Sequence, residues 1–344
     1  MTSRIGRPLA VFVSAVFMAS VGVMLPFEAR SATILKVSTH SSGPGTPRAD
    51  YLVRLSKAVK ERTNGRVEIR IFWANSLVHA KEALEAVQVG TSDMADLAIG
   101  YFADKLKLLQ VAALPFSVSD PVKQRDGALR ILKAVPEVKQ ELAKFGHIIL
   151  AVTATASYQL PSHKPIKDLA ELKGKKVGTF GRIVPKVIKA ANAIPVSVSG
   201  GEMYEALQRG TIDARVLSYE ASQRFKLYEV VKYISQVNLG ALAGVNTLTI
   251  NKKKWQSLSA EDRKAILEEG AKVGKWEAQA MKDDDVKFKA FLQKKGVKIV
   301  DFSSSDRAKW KAAPGVQAIS KDWVASMDKL GLPGQKTLDI FLGK

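Results

Sequence analysis

"EALEAVQVGTSDMADL" (residues 82–97) and "EMYEALQRGTIDARVL" (residues 202–217) stand 120 positions apart and share eight of sixteen residues. The identities are Glu82/Glu202, Glu85/Glu205, Ala86/Ala206, Gln88/Gln208, Gly90/Gly210, Thr91/Thr211, Asp93/Asp213 and Leu97/Leu217. Each segment reads as a helix, a glycine cap, a Thr-x-Asp turn and a strand. Upstream, "LKVSTHS" (35–41) resembles "KKVGTFG" (175–181) in the same relative place, ahead of a helix and another strand. The separation is far longer than a solenoid period. It predicts two α/β lobes of one plan, with their strand ends facing across a cleft, where ligands of open parallel sheets bind. The bland reading is two unrelated helix–strand units that share residues for capping reasons.

Around the repeat the chain alternates β-type runs with amphipathic stretches. "ILKVST" (34–39), "VEIRIF" (67–72) and "ADLAIGY" (95–101) predict strands, and 48–65 and 80–90 predict helices. "SAEDRKAILEEGAKVGKWEAQAMKDDDVKFKAFLQKKG" (259–296) predicts one very long helix, opened by a Ser259-x-x-Asp262 capping box. A helix of that length most simply ties both lobes together, with Gly270 and Gly274 as places where it bends.

The first 31 residues predict a secretory leader: Arg4 and Arg7, an apolar stretch over 9–25, and Ala29-Arg30-Ser31 before a cut after Ser31. A retained membrane anchor is the alternative, although the stretch is shorter than a span of roughly 20 residues. The 344 residues include no cysteine, so an exported chain would be held by its core alone and offers no thiolate. Net charge is +20; the leader carries +2, leaving +18. Lysines and arginines are dispersed, and the runs "NKKKW" (251–255) and "LQKKG" (292–296) lack interleaved aromatics. That argues for a basic surface and against a nucleic-acid groove.

Catalytic patterns are missing. His40, His79, His147 and His163 have no metal-ligand spacing, and there is no G-x-S-x-G elbow. Asp283-Asp284-Asp285 fan out around a helix and read as a solvated face. "GKKVGTFGRIVPKV" (174–187) matches neither a P-loop nor a dinucleotide fingerprint. Its strand–turn–helix layout nevertheless sets Arg182 beside a helix start, where a cation is locally unfavourable. An external anion explains Arg182; so does simple exposure to solvent.

The ordered blocks "FWANSLVHAKEALEAVQVGTSDMADL" (72–97), "ALPFSVSD" (113–120), "KPIKDLAELKGKKVG" (164–178), "IPVSVSGGEMYEALQRGTIDA" (194–214) and "INKKKWQSLSAEDRKAI" (250–266) resemble the DctP-like solute-binding proteins of tripartite ATP-independent periplasmic (TRAP) transporters. The resemblance implies an α/β, two-lobed periplasmic binding protein fold with a hinge and a long helix spanning both lobes. It implies a leader over 1–31, a first lobe of 32–155 plus 242–283, and a second of 156–241 plus 284–344. It implies capture of a small, carboxylate-bearing ligand, no catalysis, no cofactor or metal, and no nucleic acid. It also implies a monomer in the periplasm that delivers its ligand to small and large membrane subunits. A binding protein of an ABC importer or sensor system, and a secreted enzyme, are the rival readings.

In this family an arginine after the L-K-G motif pairs with the ligand carboxylate. Here that position is Gly178. A second arginine of some members falls near Tyr158, and a usual aromatic position is Gly200. Arg182 resembles an additional arginine four residues after the first. "IDARVLSYEA" (212–221) resembles a strand ending in an aromatic and an acid, here Tyr219 and Glu220. The resemblance and the repeat together imply a ligand site built from Thr39, His40, Tyr101, Tyr158, Arg182, Arg215, Ser218, Tyr219 and Glu220. Tyr101 and Tyr219 serve either ligand or core. Strand alternation sets Arg215 on the face of Leu217 and Tyr219, where it restores the missing positive charge.

Overall fold

The computed structural model describes residues 1–2, 32–199 and 202–344. The leader expected over 1–31, apart from its first two residues, and Gly200 lie outside the described residues. Residues 32–344 form one compact unit.

Eleven strands follow in chain order: β1 (Thr33–Ser38), β2 (Val67–Phe72), β3 (Met94–Ala98), β4 (His147–Thr153), β5 (Leu160–Ser162), β6 (Lys176–Thr179), β7 (Ile194–Ser197), β8 (Ala214–Arg215), β9 (Tyr233–Gln236), β10 (Asn246–Asn251) and β11 (Lys298–Asp301). They make two mixed sheets, ordered β2-β1-β3-β10-β4 and β11-β9-β5-β8-β6-β7. Read from the far edges, the sheets correspond: β2-β1-β3 matches β7-β6-β8. In each, the next strand runs antiparallel, β10 against β3 and β5 against β8. That antiparallel strand comes from the chain's other half, so the two halves exchange one strand each.

The repeat accounts for this correspondence atom by atom. Gly90 and Gly210 close their helices with φ of 84° and 68°, a conformation that costs a side chain and not a glycine. The Lys36 amide donates to Asp93 Oδ2 at 2.8 Å, and the Lys176 amide donates to Asp213 Oδ2 at 2.8 Å. Each aspartate thereby fixes the register of its own strand against the neighbouring parallel one. Val37 lies beside Met94, and Val177 beside Ala214.

The long helix is continuous from Ala260 to Lys294, about 52 Å at 1.5 Å per residue. Its expected cap is present: Ser259 accepts from the Asp262 amide at 3.0 Å. Its first half is tied to the first helix (Pro47–Arg62) by Arg62–Glu269 at 2.8 Å, and to the turn before β2 by Arg66–Asp262 at 2.9 Å. Its second half reaches the second sheet, where Leu292 packs with Tyr219, Ile234 and Val297.

Gly270 and Gly274 differ from expectation. They are not bends but the closest approach of helix to strand. A methyl at Gly270 would lie 2.5 Å from the Leu150 carbonyl, and one at Gly274 2.7 Å from that of Val152. One step further, Glu277 accepts the Ala154 amide at 2.9 Å. Residues 270, 274 and 277 on one helix face therefore meet 150, 152 and 154 along β4 and its exit, where the chain leaves the first sheet for the second.

A core cluster continues from the first half into the second, with the fully buried Trp310 against Phe116 and Phe302 at ring distances of 5.6 and 5.9 Å. The last helix (Gly334–Leu342) returns to the helix Pro121–Ala134, where Arg130 donates to the Ile340 and Phe341 carbonyls. No helix among the described residues is long and apolar enough to cross a membrane.

Candidate ligand cleft between the two sheets

The carboxyl ends of β1 and β6 carry the related segments Thr39-His40 and Thr179-Phe180. Thr39 is buried and fully engaged: its hydroxyl donates to Asp96 Oδ2 at 3.0 Å and accepts the Ser41 amide. His40 is half-buried, edge-on to Tyr101 at 6.5 Å. Burial lowers its pKa against the pull of Asp96, which favours the neutral ring. Tyr101 is 51% exposed, so it belongs to the rim and not to the core.

In the second sheet Tyr158 packs on Phe180 at 5.4 Å, and Arg215 lies over the same Phe180 ring at 5.6 Å. Burial raises the Tyr158 pKa, and the charges of Arg48, Glu220, Arg215 and Arg224 all reach its phenol.

Arg215 is 3% exposed. Its Nη1 donates to the Thr179 carbonyl at 2.8 Å, and its Nε has no partner. Burial pushes its pKa down to about 10, and only Tyr158 offsets this; no described carboxylate contributes. At neutral pH it is still a buried cation without a counter-ion, a costly arrangement for a protein to keep. Its seat explains Gly178. The two residues are register partners on adjacent strands. A Cβ at position 178 would meet Arg215 Cδ at 2.9 Å and Ile212 Cδ1 at 2.8 Å. The glycine leaves the space that the arginine of the next strand occupies.

Arg182 is 86% exposed, and its partner at 3.7 Å, Asp104, is 81% exposed. The pair bridges the mouth, where water screens it. Of the two readings of Tyr219, the structure favours core. β8 ends at Arg215, so alternation does not continue to 219. Tyr219 instead opens the helix Tyr219–Arg224, is 1% exposed, and packs toward the long helix, with its hydroxyl 3.3 Å from Gln236 and Lys289 over its ring. Ser218 is the cap of that helix, accepting from the Ala221 amide. Glu220 faces Arg224 at 3.0 Å and Tyr158 beyond it. Of the expected residues, the structure brings Tyr158 and Arg215 together on Phe180 and sets His40 beside the exposed Tyr101, with Glu220 on Arg224 and Arg182 exposed.

Sequence reading missed Arg48 and Phe180. Arg48 sits one residue after Pro47, which starts the first helix, and no motif singles it out. Phe180 was recoverable from the repeat, as the counterpart of His40.

One other expectation changes. Asp285 is not on a solvated face: its Oδ1 is buried without a partner, and burial pushes its carboxyl up to about 6. His147 is structural, between Thr249 Oγ1 at 2.9 Å and the Leu84 carbonyl at 2.8 Å. Among the described residues no group of His, Asp or Glu could hold a metal. A cavity of about 1120 Å³ lies away from Tyr158, between Asp120, Lys282, Lys289 and Arg307. Asp120, Asp168, Asp285 and Asp301 line it beside its cations, with Lys282 on Asp120 at 2.7 Å and Arg307 on the Val237 and Asn238 carbonyls, so it is the less apt seat for an acid.

Comparison with known proteins agrees with this architecture. Residues 38–322 match the family of bacterial extracellular solute-binding proteins, family 7. A solute-binding protein of Albidiferax ferrireducens is 26% identical over 295 residues, covering 83% of this chain and 86% of that protein. The 2,3-diketo-L-gulonate-binding periplasmic protein of Escherichia coli K12 is 25% identical over 269 residues, 77% of this chain and 79% of its own length. A TRAP periplasmic solute-binding protein from Desulfovibrio salexigens superposes with a TM-score of 0.80 at 22% identity, over 90% of this chain and 94% of that one. The match spans most of both sheets, and the chain belongs to the bacterial extracellular solute-binding protein family 7, as a TRAP-type solute receptor and not an enzyme.

Proposed function

We propose that this chain, exported by its leader, captures a small organic acid between its two sheets and hands it to the small and large membrane subunits of a TRAP transporter. The carrying observation is Arg215: a buried guanidinium with no carboxylate partner, over a glycine that leaves it room. A ligand carboxylate supplies the missing charge, and the planar fork matches it bidentately. Tyr158 and Phe180 supply an apolar wall for the ligand body. The E. coli relative named for 2,3-diketo-L-gulonate supports an acid as the ligand class.

The lobes in this reading are 32–155 plus 242–283, and 156–241 plus 284–344, except that the last helix is moved to the first lobe. The last helix rides on the first lobe through Arg130 and Gly127. They close as a monomer, and closure desolvates the ion pair and strengthens it. Arg182 and Asp104 act as a weak latch across the mouth.

The test is a thermal-shift screen of organic acids, amino acids and sugars, followed by calorimetry on the hits. Acids should raise the melting temperature of the wild type. Arg215→Met should weaken the best acid by about a hundredfold or more, and Arg182→Ala by only a few-fold. Undiminished affinity in Arg215→Met, with the fold intact by circular dichroism, would remove Arg215 from the site.

A further inference from the structure

The charges of Arg48 and Arg215 both act on the Tyr158 phenol, and the surroundings of Arg48 are of a different kind. It is half-buried in the first turn of the helix Pro47–Arg62. With the Asn246 carboxamide turned so that its oxygen faces the arginine, Arg48 Nη1 donates to it at 2.7 Å. His40 Nε2 lies 3.4 Å from the same nitrogen. The remaining guanidinium donors have no named partner among the described residues. Two acidic groups are buried nearby. Asp96 is 3% exposed, and its charge acts with that of Arg48 on His40. Glu277 is fully buried and feels both Arg48 and Asp96. On its other side Arg48 reaches the Tyr158 phenol, as Arg215 does.

The charges around the cleft therefore divide unevenly. Arg224 has Glu220 at 3.0 Å, Arg182 has Asp104 at 3.7 Å, and Arg48 shares its pocket with Asp96 and Glu277. Arg215 has no carboxylate partner among the described residues. One negative charge from a ligand neutralises the site. A second, placed at Arg48, would be buried near the Asp96 carboxylate, and like-charge juxtaposition in a desolvated site is strongly unfavourable. A purely apolar end would leave the Arg48 donors desolvated and unpaired.

We propose that Arg48 determines specificity by donating to a neutral oxygen, a carbonyl or hydroxyl, at the end of the ligand remote from its carboxylate. The ligand class is then monoanionic oxo and hydroxy acids, selected against both dicarboxylates and unsubstituted monoacids. This rests on the reading of Arg215 as the carboxylate anchor.

The experiment is calorimetry on a matched panel: aliphatic and aromatic monoacids, their oxo and hydroxy derivatives, and the corresponding diacids. On the wild type, the best oxo or hydroxy acid should bind about ten- to a hundredfold tighter than its parent monoacid, the range for a hydrogen bond from a charged donor, and tighter than the diacid. Arg48→Met should abolish that advantage and leave parent-acid binding in place. Arg48→Lys, which keeps the charge beside Asp96 and Glu277 without the fork, should retain a reduced advantage and guards against a folding defect in the first variant. Diacids leading the wild-type panel, or an undiminished preference in Arg48→Met, overturns the role of Arg48 while leaving Arg215 standing. A panel in which no acid binds the wild type overturns the carboxylate anchor, and this inference with it.

Discussion

At the scale of single residues, a buried cation stands over a glycine. The resemblance sets a carboxylate-binding arginine at Gly178, and the guanidinium of Arg215 on the neighbouring strand stands over that position. Substitution at 178 is therefore expected to act through 215. Gly178→Ala sets a methyl 2.9 Å from Arg215 Cδ. It should displace that side chain, lower acid affinity by roughly tenfold (about 1.4 kcal/mol), and cost about 1–3 kcal/mol of stability by overpacking. Calorimetry and urea titration read the two effects separately. The transplant Gly178→Arg with Arg215→Gly should bind an acid more tightly than Arg215→Gly alone. Equal affinities would show that position 178 no longer addresses the ligand. Gly178 was legible as a missing arginine because one motif fixes its place. Its replacement was not securely legible, since the two positions lie 37 residues apart in sequence and become neighbours only through the β6–β8 register.

At the scale of elements, the long helix was visible from its length, its capping box and its apolar spacing. Its glycines were misread for a definite reason. A glycine in a helical run carries the same letter whether it bends the helix or lets a strand approach, and only the partner distinguishes them. Gly274→Ala in an exposed helix would be stabilising by roughly 0.5–1 kcal/mol. Here the new methyl meets the Val152 carbonyl at 2.7 Å, a backbone atom that cannot rotate away. The sign should reverse, with a loss of about 1–3 kcal/mol, read as a lower urea midpoint at unchanged slope. Tyr219 was misplaced by a similar limit. Alternation was extended past the end of a two-residue strand, and the Ser218 cap turned the chain into a helix instead.

At the scale of the whole molecule, the long helix and the strand that leaves the first sheet are joined at Glu277. Burial pushes its carboxyl up to about 7, against an ordinary value of 4.5; the Ala154 amide, Arg48 and Arg125 pull the other way, and Asp96 adds to the rise. A raised folded-state pKa means the native protein holds a proton that the unfolded chain gives up. The associated stability is fully present below about pH 4.5 and is lost as pH rises through about 7, on the order of 3 kcal/mol across the window. Glu277→Gln should flatten that part of the curve. The difference in unfolding free energy between wild type and variant, measured from pH 4 to 8, should drift in favour of the variant with rising pH. A constant difference would place the proton elsewhere.

The sequence by itself determined the two-sheet plan, because the repeat preserves local chemistry: glycine caps that need positive φ, and aspartates that bind the adjacent strand's amide. It also determined the family and the long helix. Tertiary structure alone decided which side chains meet. Arg215 over Gly178, Arg48 on Asn246, and Glu277 on the Ala154 amide each join residues distant in the chain. Their contact depends on strand register and on close approach between elements, and local periodicity carries neither.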